Sequence, residues 1–213
     1  ESLSEAFVGE SGLTVDAACF GVAGPVVDGE AVGTNLRWTV SEASLQRRLA
    51  VGRAKLLNDL EAIAWGVPLL AGPDVRTLSP GIPQEHGTLG IIAPGTGLGQ
   101  GYLVWQGADY RAMPSEGGHA DFSPNNPLQC DLWRYLHDRL GHVSYERVCS
   151  GVGIPNIYAF LRDTGYAPEP AWLREQLQTA SDPTPLIVGA ALQTGEPCAL
   201  AAEALRLFTA VLG

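Results

Sequence analysis

Lysine is almost missing from this 213-residue sequence: of 13 basic residues, only Lys55 is a lysine. A Walker-type nucleotide loop needs a lysine directly after its glycines, so that class of NTPase is excluded. Basic charge is scarce altogether. The formal net charge of −10 argues against nucleic acid and against an anionic membrane surface as partners. The four cysteines (Cys19, Cys130, Cys149 and Cys198) include no pair at C-x-x-C spacing, which rules out a zinc ribbon and a thioredoxin-type motif. A chain of this length does not depend on disulfides, so a reduced, cytoplasmic protein is expected. Long apolar runs are missing too. The longest, Ala17 to Val27, is too short to span a bilayer and is interrupted by Gly21, Gly24 and Pro25.

What is present is a globular composition, 46% apolar and 17% charged, in a chain long enough to build a proper core. Thr14 to Ala23 reads as a buried strand. Asp28-Gly29 is a hairpin turn between Val26-Val27 and Ala31-Val32. Ser41 can cap a helix running to about Leu49. Arg53 to Leu57 reads as a strand that stops at Asn58-Asp59, with a helix following from Leu60 to about Val67. Pro68 to Pro83, with four prolines, is the expected hinge, dividing a small α/β lobe (1–71) from a large lobe (72–213). Strands are expected at Thr88–Ala93, Gly101–Trp105 and Tyr110–Met113, the first two around the turn Gly95-Thr96-Gly97-Leu98-Gly99. The remainder is helical. Leu128, Leu132, Leu136 and Leu140 form one stripe, Ile154, Ile157 and Leu161 another, and Trp172, Leu173 and Leu177 a third. Ala199 to Leu212 is the last and most apolar helix. The class is therefore α/β with two lobes.

Four segments carry groups suited to chemistry. Asn58-Asp59 stands where a strand opens into a helix, a place where side chains face a crevice. A carboxylate there can take a proton from a hydroxyl that the amide holds, but a plain N-cap at Asp59 accounts for it first. The Gly95–Gly99 turn lets backbone approach a phosphate, and Thr96 adds a hydroxyl. It is not a dinucleotide fingerprint, because position 100 is Gln and a strand follows. An empty glycine-rich hairpin explains the pattern equally. Glu116-Gly117-Gly118-His119-Ala120-Asp121 sets a carboxylate and an imidazole three apart, fit for a metal, for sugar hydroxyls, or for a solvated turn. Glu146, in His142-Val143-Ser144-Tyr145-Glu146-Arg147, reads alone as a charge at a helix start.

Taken in order, Leu57-Asn58-Asp59, Gly95–Gly99, Glu116–Phe122 and Gly141–Val148 resemble the bacterial glucokinase family outside its zinc-containing relatives; Thr34-Asn35 with Trp38 matches a further segment. The resemblance runs over essentially the whole chain. It implies a two-lobed actin-like ATPase (ribonuclease H-like) fold, and transfer of the γ-phosphoryl of ATP, as its Mg²⁺ complex, to the C6 hydroxyl of glucose. Carried over by position, Asp59 is the general base. Asn58, Glu116, His119 and Glu146 are sugar ligands, and Asn35 lines the sugar pocket. Gly95, Thr96 and Gly97 belong to a phosphate-binding turn. No structural metal is implied, since no Cys-x-Cys cluster follows His119.

Two family segments have no counterpart: an opening Asp-x-Gly-Gly-Thr strand–turn and a later Gly-Gly turn for adenosine. The chain opens without methionine inside an amphipathic helix (Leu3, Phe7, Val8) and closes directly after an apolar one. The expectation is a fold incomplete at both ends, with little or no kinase activity in this chain by itself. Two other readings stand beside it: a non-catalytic sugar-binding remnant, and a kinase for another hexose such as fructose or mannose. The last helix could serve a homodimer or the core of the large lobe.

Overall fold

A computed structural model describes residues 2–32, 39–193 and 198–213. Asn35, with Thr34 and Trp38, lies outside the described residues. After helix α1 (Ser2–Ser11) come strands β1 (Ala17–Val22), β2 (Val26–Val27), β3 (Glu30–Val32) and β4 (Thr39–Ser41). Helix α2 (Glu42–Leu49), strand β5 (Arg53–Asn58) and helix α3 (Asp59–Gly66) follow. Strands β6 (Leu89–Pro94), β7 (Leu98–Trp105) and β8 (Tyr110–Ser115) form a sheet in that order. The rest is helical: α4 (Pro127–Leu140), α5 (Gly153–Asp163), α6 (Ala171–Thr179), α7 (Thr184–Leu192) and α8 (Ala199–Leu212).

By contacts the chain divides into two compact units. One is Glu1–Ile91 with Gly101–Pro114; the other is Ile92–Gln100 with Ser115–Gly213.

In the first unit, β1 and β5 pair in parallel, with Val22 opposite Asn58 at their carboxyl ends. The β2–β3 hairpin turns at Asp28 and Gly29, with φ of 50° and 74°. Both are in the left-handed region that a two-residue turn of this twist requires, and Asp and Gly tolerate it. Ser41 caps α2, its hydroxyl accepting from the Ser44 N–H at 3.2 Å. Glu42 then ties three pieces together. Its backbone N–H donates to the Gly29 carbonyl at 2.9 Å. Its carboxylate accepts from the Leu56 N–H at 3.0 Å and pairs with Lys55 at 2.9 Å. The Leu56 N–H, and after it Lys55, hold the Glu42 carboxyl below its ordinary range. Hairpin, helix and the strand that ends in Asn58 are thus fixed to one another. Ala31, Val40, Leu45, Leu49, Val51 and Leu56 form the core beneath them.

In the second unit, the expected stripes face one core: Leu132 and Leu136 from α4, Ile154, Ile157 and Leu161 from α5, and Leu173 from α6. Leu200, Ala201, Ala204 and Leu207 of α8 are buried in the same core. The stripes overreach at their ends, since Leu140 and Trp172 are exposed. Helix α1 forms where expected, but its Leu3 and Phe7 are exposed.

Candidate active site

In the first unit, Asn58 and Asp59 stand at the carboxyl end of β5, where the chain turns into α3. The cap is Asn58, not Asp59: Asn58 Oδ1 accepts from the Leu60 N–H at 2.9 Å and the Glu61 N–H at 3.3 Å. Its Nδ2 donates to the Gly24 carbonyl at 3.1 Å, which leaves one amide hydrogen for a ligand. Asp59, relieved of capping, occupies the first turn, where the helix dipole favours a carboxylate. One of its oxygens accepts from the Leu60 N–H at 2.9 Å. The other is not part of that bond and can accept a proton.

In the second unit, the tight turn is shorter than the glycine run suggests, because Leu98, Gly99 and Gln100 already belong to β7. It closes with Gly95 N–H donating to the Gly97 carbonyl at 2.9 Å. A second segment backs it. Gly151 N–H donates to the Gly95 carbonyl at 2.7 Å, and Val152 N–H to the Thr96 carbonyl at 3.3 Å. This approach favours a glycine at 151, since a Cβ there would stand a tight 3.0 Å from the Gly95 oxygen. A cavity of about 770 Å³ opens beside the turn, with Gly95, Thr96, Gly151, Pro155 and Thr184 in its lining.

The same unit brings together three of the expected polar side chains. His119 ends a single 3-10 turn (Gly117–His119) that Glu116 precedes. Its Nε2 lies 3.7 Å from Glu116 Oε2, and its Nδ1 lies 3.8 Å from Glu146 Oε1. Glu146 is in a second 3-10 turn, Tyr145–Arg147, not in the first turn of an α-helix. The backbone joins the two turns: Phe122 N–H donates to the Val143 carbonyl at 2.8 Å, and Tyr145 N–H to the Ala120 carbonyl at 3.0 Å. Glu116 and His119 are 75% and 61% exposed and Glu146 only 23%, so a ligand can reach the first two freely and meets the third at their base. Distances of 3.7 and 3.8 Å leave room for hydroxyls that bond to two side chains at once. Among the described residues no three His, Cys, Asp or Glu side chains gather as a metal-binding group.

Two features escaped the sequence reading. Glu146 Oε2 accepts from the Leu98 N–H at 3.0 Å, a contact across 48 positions that no local pattern announces. The backing segment at Gly151 was also missed. Its signal was the cluster Ser150-Gly151-Val152-Gly153 just before a helix.

The glucokinase family model matches residues 2–213. The chain belongs to the glucokinase family. A glucokinase from Nostoc punctiforme is 41% identical over 208 residues, covering 92% of this chain and 60% of that protein. A Synechocystis glucokinase is 38% identical over 221 residues, covering 98% and 62%. The chain thus spans about 60% of the length of these curated relatives. Among solved structures, a glucokinase from an Antarctic psychrotroph aligns with a TM-score of 0.69 at 26% identity, over 91% of this chain and 56% of that one. A glucokinase from Balamuthia mandrillaris, solved in complex with glucose, aligns with a TM-score of 0.74 at 23% identity, over 99% and 62%. The fold is the mixed α/β fold of these glucokinases, a partial actin-like ATPase fold.

Proposed function

We propose that this chain carries the sugar-binding and proton-accepting parts of an ATP-dependent glucokinase that makes glucose 6-phosphate. The observation that carries the reading is the convergence of Glu116, His119 and Glu146, each within 4 Å of the next, in the unit that also holds the Gly95–Gly97 turn. Phosphoryl transfer asks mainly for positioning and charge neutralisation. In this reading the three side chains bond glucose hydroxyls, and a wrong epimer is disfavoured most where it leaves the half-buried Glu146 unmatched. The spare amide hydrogen of Asn58 holds the reacting hydroxyl, and Asp59 takes its proton. In a loose transition state the proton can leave late, so the carboxylate need not be a strong base before transfer begins. The backbone at Gly95, Thr96 and Gly97 meets phosphate, and the neighbouring cavity takes the rest of the nucleotide. Magnesium arrives on the phosphates of ATP, since such an ion keeps several waters and asks few carboxylates of the protein.

The lobe boundary near residue 71 and a sugar-lining role for Asn35 belong to the same reading. So does a cytoplasmic setting, where ATP is found and where the four cysteines, all free in the structure, stay reduced. Among the described residues no helix is long and apolar enough to cross a membrane. The test is Asp59→Asn in a protein that carries this chain at the length of its relatives. Turnover should fall by orders of magnitude with glucose affinity largely kept. Unchanged turnover would remove Asp59 from the mechanism. Faster turnover with fructose or mannose than with glucose would reassign the substrate.

A further inference from the structure

Glu146 touches two things at once. Oε1 faces the His119 imidazole at 3.8 Å, and Oε2 accepts from the Leu98 N–H at 3.0 Å. Leu98 is the first residue after the Gly95–Gly97 turn. A Cβ on Gly97 would collide with Glu146 Oε2, so the carboxylate lies directly against the turn. The backbone behind Glu146 is also held, its carbonyl accepting from the buried Ser150 hydroxyl at 2.6 Å. Two residues further on, Val152 donates to Thr96. The segment 146–152 therefore reaches the turn at both ends.

We propose that Glu146 is a positioning residue for the phosphate turn, coupling sugar occupancy to the turn's geometry. The inference rests on the reading that Glu116, His119 and Glu146 hold a sugar. A carboxylate is a rigid plane, so its two oxygens cannot be oriented independently. The Oε1 contact with His119 is long, at 3.8 Å, so the Leu98 N–H bond to Oε2 sets the carboxylate plane with little help from that side. A sugar hydroxyl that donates to Oε1 fixes the plane, and Oε2 is then fixed on Leu98. The turn is ordered before phosphate arrives, and the ordering cost of the second ligand falls. By reciprocity, phosphate on an ordered turn holds the sugar more tightly.

The readout is the Leu98 amide, followed by NMR and by hydrogen exchange in the 15N-labelled chain titrated with glucose. Glucose should shift that resonance and slow its exchange by about fivefold or more, the low end of ordinary two-site coupling. Gly97→Ala leaves Glu116, His119 and the Glu146 backbone in place but pushes the Glu146 carboxylate off Leu98, and should abolish the Leu98 response. Glu146→Asp, one methylene too short to serve both partners, is the second variant and should do the same. Shifts around Glu116 and His119 with Leu98 unmoved would overturn the coupling and leave the sugar reading standing. A Leu98 response that survives both variants would also overturn it. No shift anywhere would overturn the sugar reading, and the coupling with it.

Discussion

The Asn58 side chain bridges Gly24 and α3: its amide donates to the Gly24 carbonyl at 3.1 Å while its oxygen caps the helix. Removing it therefore strips a helix cap and leaves a carbonyl without its donor. Asn58→Ala should cost about 1–2 kcal/mol, as lost caps do, read as a lower urea midpoint with an unchanged slope. Asn58→Asp keeps the cap but not the donor, and should be intermediate. Equal stability of all three would contradict the bridge.

Gly118 lies against the Leu98 carbonyl so closely that a Cβ could not be placed without moving backbone. Gly118→Ala should destabilise by about 1–3 kcal/mol, because it overpacks a site with no flexible neighbour to yield. It should also weaken glucose binding, since Gly118 sits in the turn between Glu116 and His119. Gly66→Ala, where a Cβ meets nothing within 4 Å, is the control and should be near neutral.

Stability should fall at both ends of the pH range through Tyr135 and Asp163. The Tyr135 hydroxyl donates to Asp163 Oδ2 at 2.5 Å. Burial first, and then that bond, push the Tyr135 phenol from 10.0 up to about 12. A raised pKa means the contribution is complete below about pH 10 and is lost as pH rises towards 12. The Tyr135 bond and the Arg162 guanidinium hold the Asp163 carboxyl below its ordinary value. Its contribution is present above about pH 4 and is lost as pH falls through the lowered value. Tyr135→Phe should flatten part of the alkaline limb in urea midpoints measured against pH. Burial also raises the Tyr158 phenol, so the remainder should need Tyr158→Phe as well.

Leu200 of α8 is fully buried in the second unit's core. Leu200→Ala should cost about 2–5 kcal/mol, while the sedimentation coefficient of the folded protein stays the same. A change in assembly state with little loss of stability would instead place α8 at an interface.

Elements with a local chemical cause were legible in the sequence. The Asp28-Gly29 turn, the Ser41 cap and the α5 stripe all appear where residue type and period place them. Helix α7 was not marked out, because Pro-Leu-Ile-Val-Gly-Ala-Ala-Leu is apolar all round and presents no stripe. Asn58 and Asp59 are both good caps, and sequence cannot choose between neighbours one residue apart. The assignment of the cap to Asn58 is what frees Asp59. Within the site, ordered motifs named Glu116, His119 and Glu146, but their convergence depends on backbone bonds between residues 120–122 and 143–145. The hold of Glu146 on Leu98 spans 48 positions and was invisible for the same reason.

Under the proposed function, Glu116, His119 and Glu146 hold glucose. Calorimetric titration of the 213-residue protein with glucose and with galactose tests it most directly. The account predicts saturable glucose binding, weaker galactose binding, and loss of the glucose signal in Glu116→Ala and His119→Ala variants that remain folded. No saturable heat with glucose, or equal binding by both variants, would contradict it.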